Sequence, residues 1–292
     1  TPTGMIPTKQ MLDDVPVSVS EIVEDVCRAA EIGISMVHLH ARDDDGRPTY
    51  QEKIYGEIIS KIRESHPELV ICVSLSGRDY SEFEKRAAPL MLEGDSKPDM
   101  GSLTLSSLNF PKSGSANSPD IIRQLAEAMN ERGIVPELEV FDLGMMNYSH
   151  YLIKKGLLTA PHYVNIILGN IATAQMDLIH AGLLLRDMPS DCLWSLGGIG
   201  ANQLAANTIA IAMGGGVRIG LEDNIYWDPQ RTQTATNSMF LNRIQEIAAQ
   251  FSRAVMPPSE LRKKLGLNPG NGSYGRGADV SCQPDQTAHA HA

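Results

Sequence analysis

The stretch "MVHLHARDDDGRP", residues 36–48, sets two histidines, His38 and His40, two positions apart in an apolar run. Side chains at i and i+2 of a strand share a face, so both imidazoles point the same way. A second polar group ends the run "GVRIGLEDN", residues 216–224, with Arg218, Glu222, Asp223 and Asn224. Two histidines and a carboxylate with a fourth position open form a catalytic metal arrangement, which zinc or ferrous iron accepts. The plainer alternative is a pair of core histidines satisfied by hydrogen bonds. An H-x-H at a strand end facing a Glu-Asp pair favours the metal, with His38, His40 and Glu222 as its ligands.

That arrangement needs strands that converge. Short apolar runs recur along the chain: residues 35–41, 69–76, 101–106, 137–142, 163–169, 192–198 and 216–223. Runs of this length and uniform apolarity are the mark of parallel strands covered on both faces. Helical patterns lie between them, such as "SEIVEDVCRAAEIG" and "SPDIIRQLAEAMNERG". Ser18 with Glu21 forms a capping box ahead of the first helix, and Ser118-Pro119 is a cap followed by proline at the first helical position. "TPTG" at residues 1–4 reads as the tail end of a further first strand, which brings the number to eight. Eight β-α units in 292 residues predict an α/β protein of the (β/α)8 TIM-barrel class with additional C-terminal helices. An open doubly wound sheet is the runner-up, but no Gly-x-Gly-x-x-Gly turn follows the first strand.

Barrels of this class carry their chemistry at the C-terminal ends of the strands. Applied strand by strand, that rule gathers His38 and His40, then Ser74, Ser76 and Arg78, then Ser102, Thr104 and Ser106, then Glu137 and Glu139, and finally Arg218, Glu222 and Asp223. The last strand neighbours the first, and the first neighbours the one with the histidines, so Glu222 approaches both imidazoles. Amidohydrolase-like barrels also begin with H-x-H, but they need further histidines at later strand ends. His162 falls at the wrong end of its strand, and His150 and His180 fall in helices. A ferrous oxygenase would place its triad on an all-β barrel.

Composition narrows the partners. The hydrophobic share is 42%, enough for one barrel-sized domain or two smaller ones, and the net charge of -10 argues against nucleic acid and membrane surfaces. No run approaches the length of a membrane span, and no signal peptide is visible. Cys27, Cys72, Cys192 and Cys282 lack CxxC spacing and fit free thiols in a reducing cytoplasm. Residues 1–268 are predicted as one barrel domain with its closing helices. Residues 269–292, Gly-rich and polar, are predicted as a flexible tail, with His289 and His291 near its end. "SELRKKLGL" is amphipathic and suited to dock on a neighbouring subunit.

Five motifs together, "VHLHARDDDGRPT", "LTLSSLNF", "PELEVFDLGM", "GGIG" and "RIGLEDN", resemble the β-keto acid cleavage enzymes. The resemblance runs from Thr3 to about residue 260, in order and with barrel spacing. It implies a zinc-dependent barrel, assembled as a homo-oligomer, a tetramer. The implied reaction converts a β-keto acid and acetyl-CoA into acetoacetate and a new acyl-CoA. The family's metal ligands fall on His38, His40 and Glu222. Its base falls on Asp223, supported by Arg218 and Ser74, and its carboxylate-holding hydroxyls fall near Ser102 and Thr104. A β-keto acid chelates Zn2+ through its ketone and carboxylate oxygens, and the metal then acts as a Lewis acid. Glu139 and Asn224 are expected to orient the imidazoles.

One departure bears on the substrate. The member of the family that cleaves an amine-bearing keto acid has an acidic residue two positions after the Thr-Gly pair, where this chain has Ile6. The loop "SLSGRDY" instead offers Arg78. These two residues predict an acyl tail that is neutral or carboxylated. For Arg78, holding a CoA phosphate or facing solvent beside Asp79 are the alternatives. Met5, Leu75 and Met145 are candidates for an apolar pocket lining with Ile6. Two other classes stay open at this level: another metal-dependent barrel lyase, such as a class II-type aldolase, and a non-catalytic barrel that binds metal or acyl-CoA.

Overall fold

A computed structural model describes residues 1–277. Helix α1 (Val19–Ile32) starts at the predicted capping box: Ser18 Oγ accepts from the Glu21 amide, and Glu21 reaches back to the Ser18 amide. It feeds β1 (Met36–Leu39). There follow α2 (Glu52–Ser65) and β2 (Val70–Val73). A crossover built on the short helix Phe83–Ala87 then leads to β3 (Met100–Thr104). Next come α3 (Pro119–Glu131), β4 (Val135–Val140), α4 (Leu143–Lys154) and β5 (His162–Leu168). The last units are α5 (Leu178–Arg186), β6 (Cys192–Gly198), α6 (Gln203–Ala212) and β7 (Gly216–Val217). Helices α7 (Asn237–Gln250) and α8 (Pro258–Lys264) close the described chain.

The seven strands lie in sequence order in one parallel sheet. Every paired neighbour is parallel, as right-handed β-α-β crossovers require. The sheet curls with helices outside it, and one large apolar cluster fills the space between strands and helices.

Among the described residues the eighth ladder strand is absent. Thr1–Gly4 runs along the seam between β7 and β1, where the Thr1 ammonium donates to the Ile219 carbonyl at 2.9 Å and the Glu222 amide donates to the Thr1 carbonyl at 3.2 Å. Pro2 has no N–H to donate to a ladder. The last strand is also shorter than predicted. After Val217 the chain leaves sheet pairing, and Gly220, at φ 150, bends it toward the site.

The barrel's lower end is closed by α8. Leu261, Leu265 and Leu267 pack beneath Val70, Cys72, Met100, Val135 and Tyr163. Arg262, fully buried, donates to Asp99 at 2.8 and 2.9 Å, where Arg63 also pairs at 3.1 Å. The apolar side of "SELRKKLGL", predicted to dock on a neighbouring subunit, is thus spent on the chain's own barrel. Residues 269–277, predicted as the start of a tail, pack on the same base, where Tyr274 is buried and the Gly275 amide donates to Asp99. His289, His291 and Cys282 lie outside the described residues. Cys27, Cys72 and Cys192 are free thiols. No described helix is long and apolar enough to cross a membrane.

Candidate active site

With the lower end plugged by leucines, the polar residues gather at the other mouth, where β1 brings His38 and its continuation His40. The two imidazoles face each other through Nε2, 3.2 Å apart, and His40 Nε2 lies 3.2 Å from Glu222 Oε1. The three ligand atoms sit within 4.8 Å of one another. Zinc bonds of 2.0–2.1 Å at a tetrahedral angle put neighbouring ligand atoms about 3.3 Å apart, so these spacings match two edges of a zinc tetrahedron. Glu222 Oε2 is buried with no hydrogen-bond partner among the described residues, which leaves a carboxylate lone pair for a cation.

Local sequence makes this approach possible. Gly4, at φ +66, lies against Glu222, and a Cβ there would come within 2.4 Å of Glu222 Cγ. Arg42 fixes the loop carrying Gly4: its guanidinium donates to the carbonyls of Gly4, at 2.6 and 3.1 Å, and Pro7. On the far side Gly197 leaves room for Arg218, whose Cβ would lie 2.9 Å from an added methyl.

Arg218 is the electrostatic centre. Its Nε donates to Asp223 Oδ2 at 2.8 Å, and one terminal nitrogen donates to Asp223 Oδ1 at 3.2 Å and to Glu222 Oε1 at 2.7 Å. Its other terminal nitrogen is 4.0 Å from Glu139 Oε1. One buried guanidinium therefore bonds two carboxylates and has a third 4.0 Å away. Burial opposes the charge on Arg218, but Asp223 and Glu222 hold its pKa well above the ordinary value. Burial likewise opposes the charge on Glu222, yet Arg218 with His40 and His38 holds that carboxyl well below the usual range. Glu139 is pushed the other way, raised by burial and by the Glu137 charge. His40 is lowered, mainly by burial, which favours the neutral, ligating imidazole.

Of the sequence-predicted residues, His38, His40, Glu222, Asp223 and Arg218 are brought together. Thr104 joins them indirectly, its hydroxyl donating to Glu139 Oε2 at 2.6 Å. Ser74 and Ser102 are buried beside them, and Ser102 Oγ accepts from the Leu75 amide while keeping its own O–H to donate. Ser74 and Leu75 share a small cavity with His40 and Met5. Ile6 is 53% exposed and makes no polar contact with His38, His40 or Glu222. The Arg78 guanidinium stacks 3.7 Å over Phe110, forms no ion pair among the described residues, and leaves Nε buried without a partner. The orienting residues differ from those expected. Glu137, not Glu139, bonds His38, at 2.6 Å, and Asn224 is spent on the backbone of Tyr226. Asn165, Ser195 and Cys72, which sequence reasoning left out, complete the layer beneath His38.

A model of one family, described as beta-keto acid cleavage enzyme, matches residues 1–267. The chain belongs to the β-keto acid cleavage enzyme family. Within reach of the family, the chain is 32% identical to the 3-keto-5-aminohexanoate cleavage enzyme of Acetoanaerobium sticklandii, over 89% of this chain and 94% of that protein. It is also 32% identical to the 3-oxoadipate:acetyl-CoA acetyltransferase of Cupriavidus necator, over 91% of this chain and 92% of that protein. In fold it is similar to ObcA in a binary complex with oxaloacetate, at a TM-score of 0.75 and 19% identity, covering 87% of this chain and 67% of that one. For apo ObcA the TM-score is 0.73 at 18% identity, and this chain spans 86% of itself and about two thirds, 65%, of that structure. The family and the likeness to ObcA agree with the curled parallel sheet, an α/β barrel-type fold.

Proposed function

We propose that this chain, with zinc held by His38, His40 and Glu222, converts a β-keto acid and acetyl-CoA into acetoacetate and a new acyl-CoA. The observation that carries this reading is the ligand set with edges of 3.2 Å, flanked by an aspartate clamped to a buried arginine, in a chain of this family. Bound zinc supplies a Lewis acid that polarises the ketone and stabilises the charge released when C2 loses its proton.

The remaining work falls to side chains. Asp223, next in sequence to a ligand, removes the C2 proton, and its two hydrogen bonds from Arg218 hold its carboxylate aimed. Ser74 and Ser102 face the substrate carboxylate with free O–H groups, whereas the Thr104 proton is committed to Glu139. Thr104 therefore positions Glu139 and addresses the substrate only as an acceptor. Arg218, already fixed by its carboxylates, balances negative charge that develops in the transition state without reorganising.

The acyl tail is neutral or carboxylated. Ile6 offers no anion for an amine, and among the described residues the Arg78 guanidinium, stacked on Phe110, has no ion-pair partner. A relative named for 3-oxoadipate, a keto acid with a second carboxylate, stands at 32% identity. Free thiols suit a cytoplasmic location. Leu178 and Ile179, 75% and 74% exposed, support self-association into a homo-oligomer, which light scattering would measure. Mass spectrometry of zinc-loaded protein with acetyl-CoA and a panel of β-keto acids tests the function. A new acyl-CoA with matching acetoacetate is the expected result. With zinc in the site, absence of product from every keto acid refutes the reading and turns attention to aldolase-type cleavage.

A further inference from the structure

His38 turns its second ring nitrogen away from the mouth, into the barrel. Nδ1 lies 2.6 Å from Glu137 Oε2, and both side chains are 3% exposed. An ionised carboxylate only accepts, so Nδ1 carries the proton and donates. An imidazole protonated at Nδ1 keeps its lone pair on Nε2, the atom that faces His40 and Glu222.

Glu137 is itself held from two more sides. Asn165 Nδ2 donates to Glu137 Oε1 at 2.9 Å, and Cys72 Sγ donates to Oε2 at 3.2 Å. Ser195 Oγ donates to Asn165 Oδ1 at 3.1 Å, which fixes the amide's orientation. The set draws one residue from each of β1, β2, β4, β5 and β6, and all five are buried. His38, Cys72 and Glu137 also have the composition of a metal set. Their spacing speaks against that: two ligands on one zinc stand about 3.3 Å apart, while His38 Nδ1 and Glu137 Oε2 stand at hydrogen-bond distance, 2.6 Å. Glu137 makes its contacts in the layer below the mouth, and its neighbour two residues on, Glu139, takes the contacts with Thr104 and Arg218.

We propose that Glu137 is the positioning residue of the metal centre: it locks His38 in the Nδ1–H tautomer with Nε2 aimed at the ion, and Asn165, Ser195 and Cys72 hold its carboxylate in place. The inference rests on the zinc reading above. Removing an outer carboxylate of this kind weakens metal binding about 10- to 100-fold.

The test is zinc affinity of the full chain, measured by competition with a chelating dye, together with 15N NMR of the His38 ring. Glu137→Gln should weaken zinc about 10- to 100-fold and, in the metal-free protein at a pH high enough for the ring to be neutral, move His38 away from a pure Nδ1–H tautomer. Asn165→Ala, which frees the carboxylate without removing it, should weaken zinc less than Glu137→Gln but measurably, and it serves if Glu137→Gln does not fold. Affinity within twofold of the parent, with the tautomer unchanged in a folded variant, overturns the role. His40→Ala separates the two levels. If it leaves zinc affinity intact, zinc does not sit on this triad, and the functional reading falls with the inference. If it abolishes binding while Glu137→Gln does not alter it, the inference alone fails.

Discussion

Gly4→Ala places a methyl group where the structure has no room. The new Cβ would lie 2.4 Å from Glu222 Cγ, 2.8 Å from its Cβ and 2.9 Å from its Cα, well inside the 3.4 Å at which ordinary contact begins. The obstructing atoms include backbone, so a rotamer change does not relieve the overlap. Arg42 pins the Gly4 carbonyl through two hydrogen bonds, so the loop cannot simply lift. Glu222 must shift by about 1 Å, twice the roughly 0.5 Å that a working site tolerates. Zinc affinity should fall about 10-fold or more, and the rate about 10²-fold, as for other 1 Å misplacements. The left-handed φ of Gly4 adds a strain of about 1–2 kcal/mol for alanine, and each kcal/mol lowers Tm by about 2–4 °C in a domain of this size. The assays are dye competition for zinc, acyl-CoA formation at saturating zinc, and a thermal melt. A Gly4→Ala protein with parental zinc affinity and rate would refute the contact between this loop and Glu222, and with it the ligand geometry.

Asp223→Asn should retain zinc and lose turnover by about 10²-fold or more, the usual effect of removing a general base; a normal rate removes Asp223 from that role. Arg78→Leu should lower kcat/KM for a keto acid with a second carboxylate and spare one with a neutral tail. Equal loss on both, accompanied by a rise in KM for acetyl-CoA, would assign Arg78 to the CoA phosphates, and a parental preference for a cationic tail would contradict the tail assignment. The pH dependence of metal-free stability reports on Glu137. Burial pushes its pKa up, but His38 outweighs that and holds it down at about 2 against an ordinary 4.5. The folded state thus binds fewer protons than the unfolded one in that window. Glu137 therefore contributes stability above the ordinary value that is lost as pH falls toward about 2. Glu137→Gln should flatten the acid limb of the denaturation profile between those values, and an unchanged limb would contradict the pairing.

The cluster of His38, His40, Arg218, Glu222 and Asp223 was legible because its signals are local. The i, i+2 spacing of His38 and His40 names a shared strand face, and "RIGLEDN" holds the arginine and both carboxylates within seven residues. The strand order followed from alternation of apolar runs with helices, since sequential parallel strands leave few other topologies. What sequence could not rank was which of two inward glutamates serves His38. Glu137 and Glu139 share a face, and only their partners across the sheet separate them: Asn165 donates to Glu137 and Thr104 to Glu139. Alternation in "PELEV" flagged both. Asn165 and Ser195 sit in runs that read as plain core, and Arg42 makes its contacts with the backbone of a loop 35 to 38 residues away, which no local pattern reveals. The destination of α8 was missed for a similar reason: an amphipathic helix announces an apolar face but not the surface that covers it.

The proposed reaction fixes where each carbon goes. If acetyl-CoA supplies the acyl half of acetoacetate, then acetyl-CoA labelled with 13C at both acetyl carbons must place both labels in C3 and C4 of acetoacetate. The CH2–COO− half comes from the keto acid, and the new acyl-CoA carries no label. NMR of the products from zinc-loaded protein reads this in one experiment. Doubly labelled acetoacetate and unlabelled acyl-CoA are expected in equal amounts. Label released as acetate, or unlabelled acetoacetate beside intact acetyl-CoA, would contradict it.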